Sequence, residues 1–405
     1  MNLQASTPAQ TPLVVDPFQL MDDPHARFAA LREDHPVIKL GEGHFMALRA
    51  SDVLSLLNDP RTVQIEGADY VHLTRIPEGF TSRLMKDTML FSNGDAHRAK
   101  RSLFARSFAF ASMRSAQPKI RAVADAMVAR LPRGETVDIS EQMAARLPAL
   151  MIASILGLPG SEVDTFVLHA NDLARAVSPI YPLADHERIE AAAEGLYHYI
   201  EEHLRRRLAR PQQDLLSALA SSWKVDPMIP FENLVHQVMT IVIGGTDTTR
   251  VAFPTLVALL AQHPQQWAAL RANPDLAAGA VAESLRYEPA VASVPRFTLG
   301  PVGVGGIAVP PGVMLRVSIM SAMRDPELYA DPDVFNIERT DHPRLHTAFG
   351  LGPHRCIGEM LARLELQEAL GALSAAFSSI ALEEKPRMTG FGGIRQITPV
   401  RVTLH

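Results

Sequence analysis

One ten-residue stretch, Phe-Gly-Leu-Gly-Pro-His-Arg-Cys-Ile-Gly at positions 349–358, constrains this chain more than any other. It contains Cys356, the only cysteine among 405 residues, together with three glycines and a proline. Glycine reaches positive φ, and proline fixes φ and donates no hydrogen bond, so this stretch cannot form regular helix or strand. We therefore predict a tight loop with free backbone N–H groups. A helix should follow over residues 360–373, where leucines recur at helical spacing.

A lone cysteine at the start of a helix is open to three interpretations. It is an inert core residue, as many lone cysteines are, a nucleophile that would need a base nearby, or a thiolate ligand to haem iron. Free N–H groups and a helix N-terminus favour negative charge, so we predict that the pKa of Cys356 lies below its ordinary value of about 8.5. A thiolate ligand pushes electron density onto the iron and favours O–O cleavage, which gives the third interpretation a chemical purpose.

The same stretch resembles the haem-binding loop of the cytochromes P450. Phe349, Gly350, Gly352, Cys356 and Gly358 stand in register with that loop. The resemblance implies haem b as the cofactor and Cys356 as the proximal ligand of its iron. It also implies a fold that is mainly α with small β-sheets (α+β), in a single domain.

A basic segment near residue 100 fits the same family. His97 and Arg101 are four residues apart and share one face of a predicted helix. Taken alone, such a face is better explained as a solvated surface. In the family, however, a His-x-x-x-Arg element supplies partners for the haem propionates. The resemblance places two further propionate contacts at Arg296 and His346.

Residues 231–263 read as one long apolar helix that contains Gly244, Gly245, Asp247 and Thr248. Each glycine inside a helix costs roughly 1 kcal/mol relative to alanine, so something should require the close approach that glycine permits. The alternative is that the glycines end one helix and Asp247 caps the next. The segment resembles the family's oxygen-binding helix, in which a hydroxyl beside the oxygen and a carboxylate linked to solvent supply protons for O₂ activation.

Two departures from regular structure are expected elsewhere. Pro254 lies inside the same long helix and removes the hydrogen bond to the carbonyl of Arg250, which predicts a kink or a widened turn between them. Residues 61–93 contain scattered glycine and proline, and we predict that they are irregular.

A structural network is predicted behind the cysteine loop. Glu283 and Arg286 are three residues apart on a predicted helix, in the place where the family carries a Glu–Arg pair. The segment at residues 331–339 resembles the family segment whose arginine joins that pair. We therefore expect Glu283, Arg286 and Arg339 to form a buried network that fixes the loop.

Composition limits the compartment and the partners. The net charge of −5, from 39 basic and 44 acidic residues, gives no bulk reason to expect nucleic-acid binding. A single cysteine excludes an internal disulfide framework and is typical of a reducing compartment. Residues 1–17 lack a basic start and an apolar core, which predicts a disordered tail there and one domain over residues 18–405. No apolar segment looks long enough to span a membrane, and we expect a soluble, cytoplasmic monomer.

These features predict a bacterial-type haem-thiolate monooxygenase that inserts one oxygen atom from O₂ into a small to medium hydrophobic compound. Asp247 and Thr248 are its predicted catalytic residues. The chain has no flavin or nicotinamide fingerprint and no cysteine set for an iron–sulfur cluster, so we expect electrons from a ferredoxin with its reductase. Two alternatives stay open, a peroxygenase driven by hydrogen peroxide and a non-catalytic haem-based ligand-binding protein.

Two surfaces complete the prediction. The substrate cavity is expected to be mainly apolar, with walls from residues 88–92 and 291–294 and from Gln237, Thr240 and Ile241 on the glycine-containing helix. A basic docking patch for an acidic electron carrier is expected on the proximal side, formed by Arg98, Lys100, Arg344, Arg355 and Arg363.

Overall fold

The computed structural model describes residues 11–21, 23–105, 108, 110–177, 181–343 and 346–405. Helices dominate these residues and the sheets are small, which confirms the predicted fold class. Among the described residues, no helix is both long enough and apolar enough to cross a membrane.

Some of the helices begin where the sequence supplies a cap or a proline. Asp23 accepts a hydrogen bond from the N–H of Ala26 at the first helix, and Asp214 accepts one from the N–H of Ser217 at the tenth. In the first half of the chain the helices are α1 (Pro24–Arg32), α2 (Ala50–Leu56), α3 (Gly67–Thr74), α4 (Phe80–Asp87), α5 (Gly94–Ala105), α6 (Phe110–Val128), α7 (Leu147–Leu156), α8 (Val163–Ala174) and α9 (His186–Ala209). In the second half they are α10 (Leu215–Val225), α11 (Phe231–Gln262), α12 (Pro264–Ala272), α13 (Ala277–Tyr287), α14 (Ile319–Ala322) and α15 (Glu359–Ala376).

The strands are short and come from both ends of the chain. They are β1 (Leu13–Val14), β2 (Val37–Gly41), β3 (His44–Ala47), β4 (Thr62–Val63), β5 (Thr136–Asp138), β6 (Ser293–Thr298), β7 (Val302–Val304), β8 (Ile307–Val309), β9 (Met314–Ser318), β10 (Ile380–Leu382), β11 (Met388–Thr389), β12 (Gln396–Ile397) and β13 (Arg401–Leu404). The largest sheet has the order β1-β2-β3-β9-β6-β4, and a second has the order β10-β13-β5. The pairs β7–β8 and β11–β12 form separate hairpins. In the large sheet, β3 and β9 run parallel while β6 and β9 run antiparallel.

Helix α11 is the centre of the molecule. It begins after Pro230 and runs for 32 residues to a boundary formed by His263 and Pro264. Its side chains are apolar around most of its circumference, a pattern that is stable only when other elements cover the helix. It packs against α7, α8, α9, α13 and α15, and most of its residues are buried. The glycine pair therefore lies within one helix, as predicted, and does not separate two capped helices.

The predicted N-terminal tail and the predicted irregular segment both differ from the structure. Leu13–Val14 pairs in parallel with β2 and Val15 is buried, so the tail does not extend to residue 17. Residues 1–10 lie outside the described residues. The segment at 61–93 contains α3 and α4, which form because their apolar residues, such as Tyr70 and Leu84, are buried against the rest of the protein.

Pro254 does not interrupt α11. The α-helix continues without a break from Phe231 to Gln262, so the predicted widened turn between Arg250 and Pro254 is wrong. Pro254 itself is buried, as are the residues on both sides of it. Packing on every side of this helix offsets the loss of one backbone hydrogen bond.

Candidate active site

The cysteine loop has the tight geometry that its glycines predict. Gly350 and Gly352 have φ values of +68° and +69°, which a side chain would disfavour. A Cβ on Gly352 would also overlap the carbonyl of Leu57, so this position has no room for a larger residue. The N–H of Cys356 donates to the carbonyl of Phe349 at 2.8 Å, which closes the loop just before α15 begins.

The thiol of Cys356 differs from the prediction in one respect. Although the residue has accessible surface, the surrounding protein desolvates its thiol and raises its pKa, against the N–H of Gly358 and the charges of Arg101 and Arg355, which act to lower it. The predicted lowering of this pKa is therefore wrong for the protein alone. A bound metal ion deprotonates a coordinating thiol, so the thiolate form would depend on the metal rather than on the loop.

Four basic side chains converge beside this loop: His97 and Arg101 on α5, Arg296 on β6, and His354 two residues before the cysteine. The rings of His97 and His354 lie 4.1 Å apart between centroids. Burial and the nearby positive charges lower the pKa of His97 to about 4. Burial, His97, Arg296 and Arg101 lower that of His354 to about 3. These four residues are called the basic cluster below.

His354 was not among the predicted site residues, and His346 was predicted in its place. His346 lies elsewhere, with its Nε2 3.0 Å from the carbonyl oxygen of Ala282 and its ring 5.3 Å from that of His342. The charges that act on it are those of Arg363, His342 and Arg286, not those of the basic cluster. The prediction of His346 as a propionate contact is wrong. The signal for His354 was its position inside the loop itself.

Arg296 shows what kind of group the basic cluster can hold. Its side chain is only 3% exposed, and burial lowers its pKa to about 10. Among the described residues it has no carboxylate partner, and its Nη1 donates to the carbonyl of Pro295 at 3.0 Å. A buried cation is costly without an anion. The cluster therefore fits an anionic ligand such as the propionates of a haem, with Cys356 exposed beside it to bind the iron.

The two glycines of α11 have different roles. A Cβ on Gly245 would overlap Cδ1 of Ile152, so this glycine allows α7 to pack closely against α11. A Cβ on Gly244 would meet no atom within 4 Å, and the same is true of Gly350 in the cysteine loop. Gly244 is exposed although its neighbours in α11 are largely buried. The helix therefore opens onto free space at Gly244, as a planar cofactor beneath it would require.

Thr248 and Asp247 lie one turn from this opening. The hydroxyl of Thr248 donates to the carbonyl of Gly244 at 3.2 Å. Asp247 lies 3.8 Å from Nη1 of Arg250, and its side chain is 32% exposed. Burial raises the pKa of Asp247, and the charge of Arg250 opposes that rise. The pair thus combines a hydroxyl at the opening with a carboxyl that still reaches solvent.

The predicted network behind the loop is confirmed. Arg286 and Glu283 form two hydrogen bonds, at 2.7 and 2.8 Å, and neither side chain is exposed. Nε of Arg339 lies 3.2 Å from Oε2 of Glu283. Arg286 also donates to the carbonyl oxygens of Met323, Pro332 and Val334. Glu283 therefore joins α13 to the long segment that leads into the cysteine loop.

One predicted member of the substrate wall has a structural role. Gln237 is fully buried; its amide donates to the carbonyl of Asp87 at 2.9 Å and accepts from the N–H of Met89 at 2.8 Å. Oγ1 of Thr240 lies 2.9 Å from Oγ1 of Thr88. Both side chains tie α11 to the segment that follows α4. Ile241, next along the helix, is partly buried.

The predicted docking patch is not assembled as expected. Lys100 is buried, with its Nζ 3.3 Å from Oδ1 of Asp87, so it is not available to a partner. Arg344 lies outside the described residues. The remaining members each have an acidic partner, Arg98 with Asp95 and both Arg355 and Arg363 with Glu359.

Comparison with known proteins agrees with this geometry. The family model for Cytochrome P450 matches residues 161–400. The chain is 36% identical over 388 residues to the plant-inducible cytochrome P450-pinF1 of Rhizobium radiobacter, covering 95% of this chain and 91% of that protein. It is 32% identical over 379 residues to the nocardicin C N-oxygenase of Nocardia uniformis subsp. tsuyamanensis, covering 92% of each. The crystal structure of CalO2 superposes with a TM-score of 0.86 at 26% identity, covering 95% of this chain and 96% of that one. The chain belongs to the cytochrome P450 family and is a haem-thiolate monooxygenase of the bacterial type.

Proposed function

We propose that this enzyme inserts one oxygen atom from O₂ into a small to medium hydrophobic organic substrate, with electrons from a separate ferredoxin-type partner. The observation that carries this proposal is the arrangement of Thr248 and Asp247 beside the opening at Gly244. A protein that only bound ligands at a haem would not need a hydroxyl and a solvent-linked carboxyl there.

The residues described above have distinct roles in this proposal. The haem, when bound, supplies the reductive activation of O₂. Cys356 is its thiolate ligand, and the basic cluster neutralises its propionates. The Glu283–Arg286–Arg339 network fixes the loop that carries Cys356. Each role matches the chemistry of the side chain and its burial.

Thr248 and Asp247 hold and move protons. The hydroxyl of Thr248 is one helical turn from Gly244 and can pass a proton from its Oγ1 to an oxygen held at the opening. Asp247 is partly exposed and its pKa is raised by burial, so its carboxyl can take up and release protons nearer to neutral pH. The positive charge of Arg250 limits that rise.

The electron donor is inferred from what the chain lacks and from its family. A single cysteine cannot hold both a haem and an iron–sulfur cluster, and the sequence has no dinucleotide fingerprint. A separate ferredoxin with its reductase would fill this need. Lys100 does not belong to its docking surface, because this side chain is buried against Asp87.

The substrate class is inferred from apolar side chains on α11 and at the start of β6. Ile241 on α11, Val291 just before β6 and Val294 within β6 are partly buried hydrophobic residues. Val291 forms an isolated bridge with Ile394 in the C-terminal hairpin, which adds a further apolar wall. Such a lining supports a hydrophobic substrate body.

The test is reconstitution with a surrogate ferredoxin and its reductase, a panel of hydrophobic compounds and isotopically labelled O₂. We expect one labelled oxygen atom in the product, with reducing equivalents consumed in proportion. Product that forms only with hydrogen peroxide, without label from O₂, would support a peroxygenase instead. Spectral binding of ligands without any product under either condition would support a non-catalytic binding protein.

A further inference from the structure

Besides Arg296, a second buried arginine lacks a carboxylate partner among the residues that the structure describes. Seven arginine side chains are buried among the described residues. Five of them lie within ion-pair distance of a carboxylate: Arg32 with Asp325, Arg207 with Asp214, Arg286 with Glu283, and Arg324 and Arg395 with Glu288. Arg296 and Arg316 have no such partner in the described part of the chain. The haem propionates account for Arg296 only.

The propionates that Arg296 is expected to bind cannot also serve Arg316. In the antiparallel pair of β6 and β9, Arg296 lies opposite Leu315, and Arg316 lies opposite Pro295. Residues directly opposite share a face of the sheet, and successive residues alternate between faces. The two arginines therefore project from opposite faces of the large sheet. Arg316 needs an anion of its own.

The contacts of Arg316 hold its guanidinium in place without neutralising it. Its Nε donates to Nε2 of His44 at 2.9 Å, and its Nη1 donates to the carbonyl of Gly392. Burial and the charge of Arg316 lower the pKa of His44 to about 4, so His44 is a neutral acceptor at physiological pH. Nη2 of Arg316 has no hydrogen-bond acceptor among the described residues. Arg316 is 8% exposed and lies beneath the C-terminal hairpin.

A second unpartnered polar group lies on the same face. Ser293 is two residues before Pro295 on β6, so its side chain shares the face of Arg316. Its Oγ is buried and finds no hydrogen-bond partner among the described residues. Buried hydroxyls are normally paired, so this one indicates a missing acceptor.

This face carries part of the predicted substrate wall. Ser293 belongs to the predicted wall at residues 291–294. The N–H of Ala292 donates to the carbonyl of Gly393 at 2.8 Å, in the same hairpin that covers Arg316. A group bound at Arg316 would therefore lie at one end of an apolar surface.

We propose that Arg316 and Ser293 bind a carboxylate of the substrate, which makes the substrate an apolar organic acid. This inference rests on the proposed function, since it names the class of compound that the same site accepts. A guanidinium binds a carboxylate through charge-assisted hydrogen bonds, and Ser293 adds a neutral donor. The apolar body of the acid would extend from this anchor along the predicted wall.

The experiment is equilibrium binding to the ferric holoenzyme, measured by calorimetry and by the Soret shift. Dodecanoate and tetradecanoate are compared with their methyl esters and with the matching primary alcohols. We expect the wild type to bind the carboxylates at least about tenfold more tightly than the uncharged partners. Arg316→Gln should abolish that preference while leaving the affinity for the alcohols within about twofold. Ser293→Ala should reduce it by about threefold. Arg401→Gln, an exposed arginine on β13, is the matched control and should keep it.

Each other outcome overturns the proposal. These are no binding of either carboxylate by the wild type, equal binding of acid and ester, or a preference that Arg316→Gln retains. If Arg316→Gln gives no holoenzyme, the preference for acid over ester is measured in Arg316→Lys and in the wild type, and these two values decide whether Arg316 binds a carboxylate. Binding is measured without turnover, so a missing product contradicts the proposed function and leaves this result standing.

Discussion

The imidazole rings of His97 and His354 lie 4.1 Å apart with an angle of 32° between their planes. One ring belongs to α5 and the other to the cysteine loop, more than 250 residues later in the chain. His97 is buried and His354 is partly buried, and the pKa of each is strongly lowered by burial and by positive neighbours that include Arg101. Two arginines and two histidines, whose protonated forms would repel one another, are held together here, and an anionic ligand would relieve that repulsion.

His354→Ala should therefore weaken haem binding, and His346→Ala should not. We expect the haem of His354→Ala to transfer to apomyoglobin about tenfold faster than that of the wild type, because one hydrogen-bonding partner of the propionates is lost. His346→Ala leaves the carbonyl of Ala282 without its partner and should lower the free energy of unfolding by about 1–3 kcal/mol instead. Faster haem loss from His346→Ala alone would contradict this assignment.

Local spacing carried the structural predictions that are confirmed. The loop around Cys356, the single long helix around Gly244 and the Glu283–Arg286 pair depend on residues close together in sequence, where glycine chemistry and helical periodicity act directly. Arg339 is expected beside this pair because its segment resembles that of the family, and the structure places its Nε near Glu283.

The errors arose where tertiary contacts decide. Two histidines precede Cys356 by two and ten residues, and only their surroundings show that His354 joins the basic cluster. The sequence places Lys100 beside other basic residues, but α5 turns its side chain toward Asp87. The helices α3 and α4 depend on burial against distant elements, which a segment with glycine and proline does not reveal.

The Glu283 network offers a test of loop support. Glu283→Ala leaves Arg286 fully buried without its carboxylate, which should cost about 3–5 kcal/mol of the free energy of unfolding. Chemical unfolding and the ratio of haem to protein are the measurements. Asp164→Ala, which removes an exposed ion pair with Arg146, is the control and should cost less than about 1 kcal/mol. A Glu283→Ala enzyme with normal stability and full haem content would exclude the structural role.

The two glycines of α11 should respond differently to alanine. Gly245→Ala places a Cβ against Cδ1 of Ile152 and should destabilise the protein by about 1–3 kcal/mol, less any gain in helix propensity. Adding Ile152→Val removes that methyl group and should restore most of the loss. Gly244→Ala meets no atom within 4 Å and should not destabilise the fold, but it narrows the space at the opening and should weaken ligand binding there. Thermal unfolding and Soret titrations measure the two effects, and equal destabilisation by both alanines would refute this distinction.

Acid stability should depend on Glu288. Burial raises the pKa of this carboxyl, but His25, Arg395 and Arg324 outweigh burial and bring it to about 2. A carboxyl with a lowered pKa stabilises the fold above its unfolded value of about 4.5, and this contribution disappears as the pH falls toward 2. The difference corresponds to about 3 kcal/mol. Glu288→Gln should therefore be less stable at neutral pH and lose less stability between about pH 5 and pH 2. Parallel curves of unfolding free energy against pH for the two proteins would contradict this, and the exposed Glu338→Gln serves as the control.

The proton-handling pair can be tested apart from the fold. Thr248→Val keeps the shape of the side chain but removes the hydroxyl at the opening, so reducing equivalents should be consumed while product per equivalent falls about tenfold or more. Asp247→Asn removes the ionisable link to solvent, so turnover itself should slow by about 10²-fold. Thr246→Val is a matched control, because Thr246 makes the same bond to the carbonyl four residues earlier but is fully buried. It should leave the coupling ratio unchanged. The measurement is product formed per reducing equivalent with a surrogate ferredoxin. Unchanged coupling in Thr248→Val together with unchanged turnover in Asp247→Asn would remove both residues from oxygen activation and favour the peroxygenase or the binding protein.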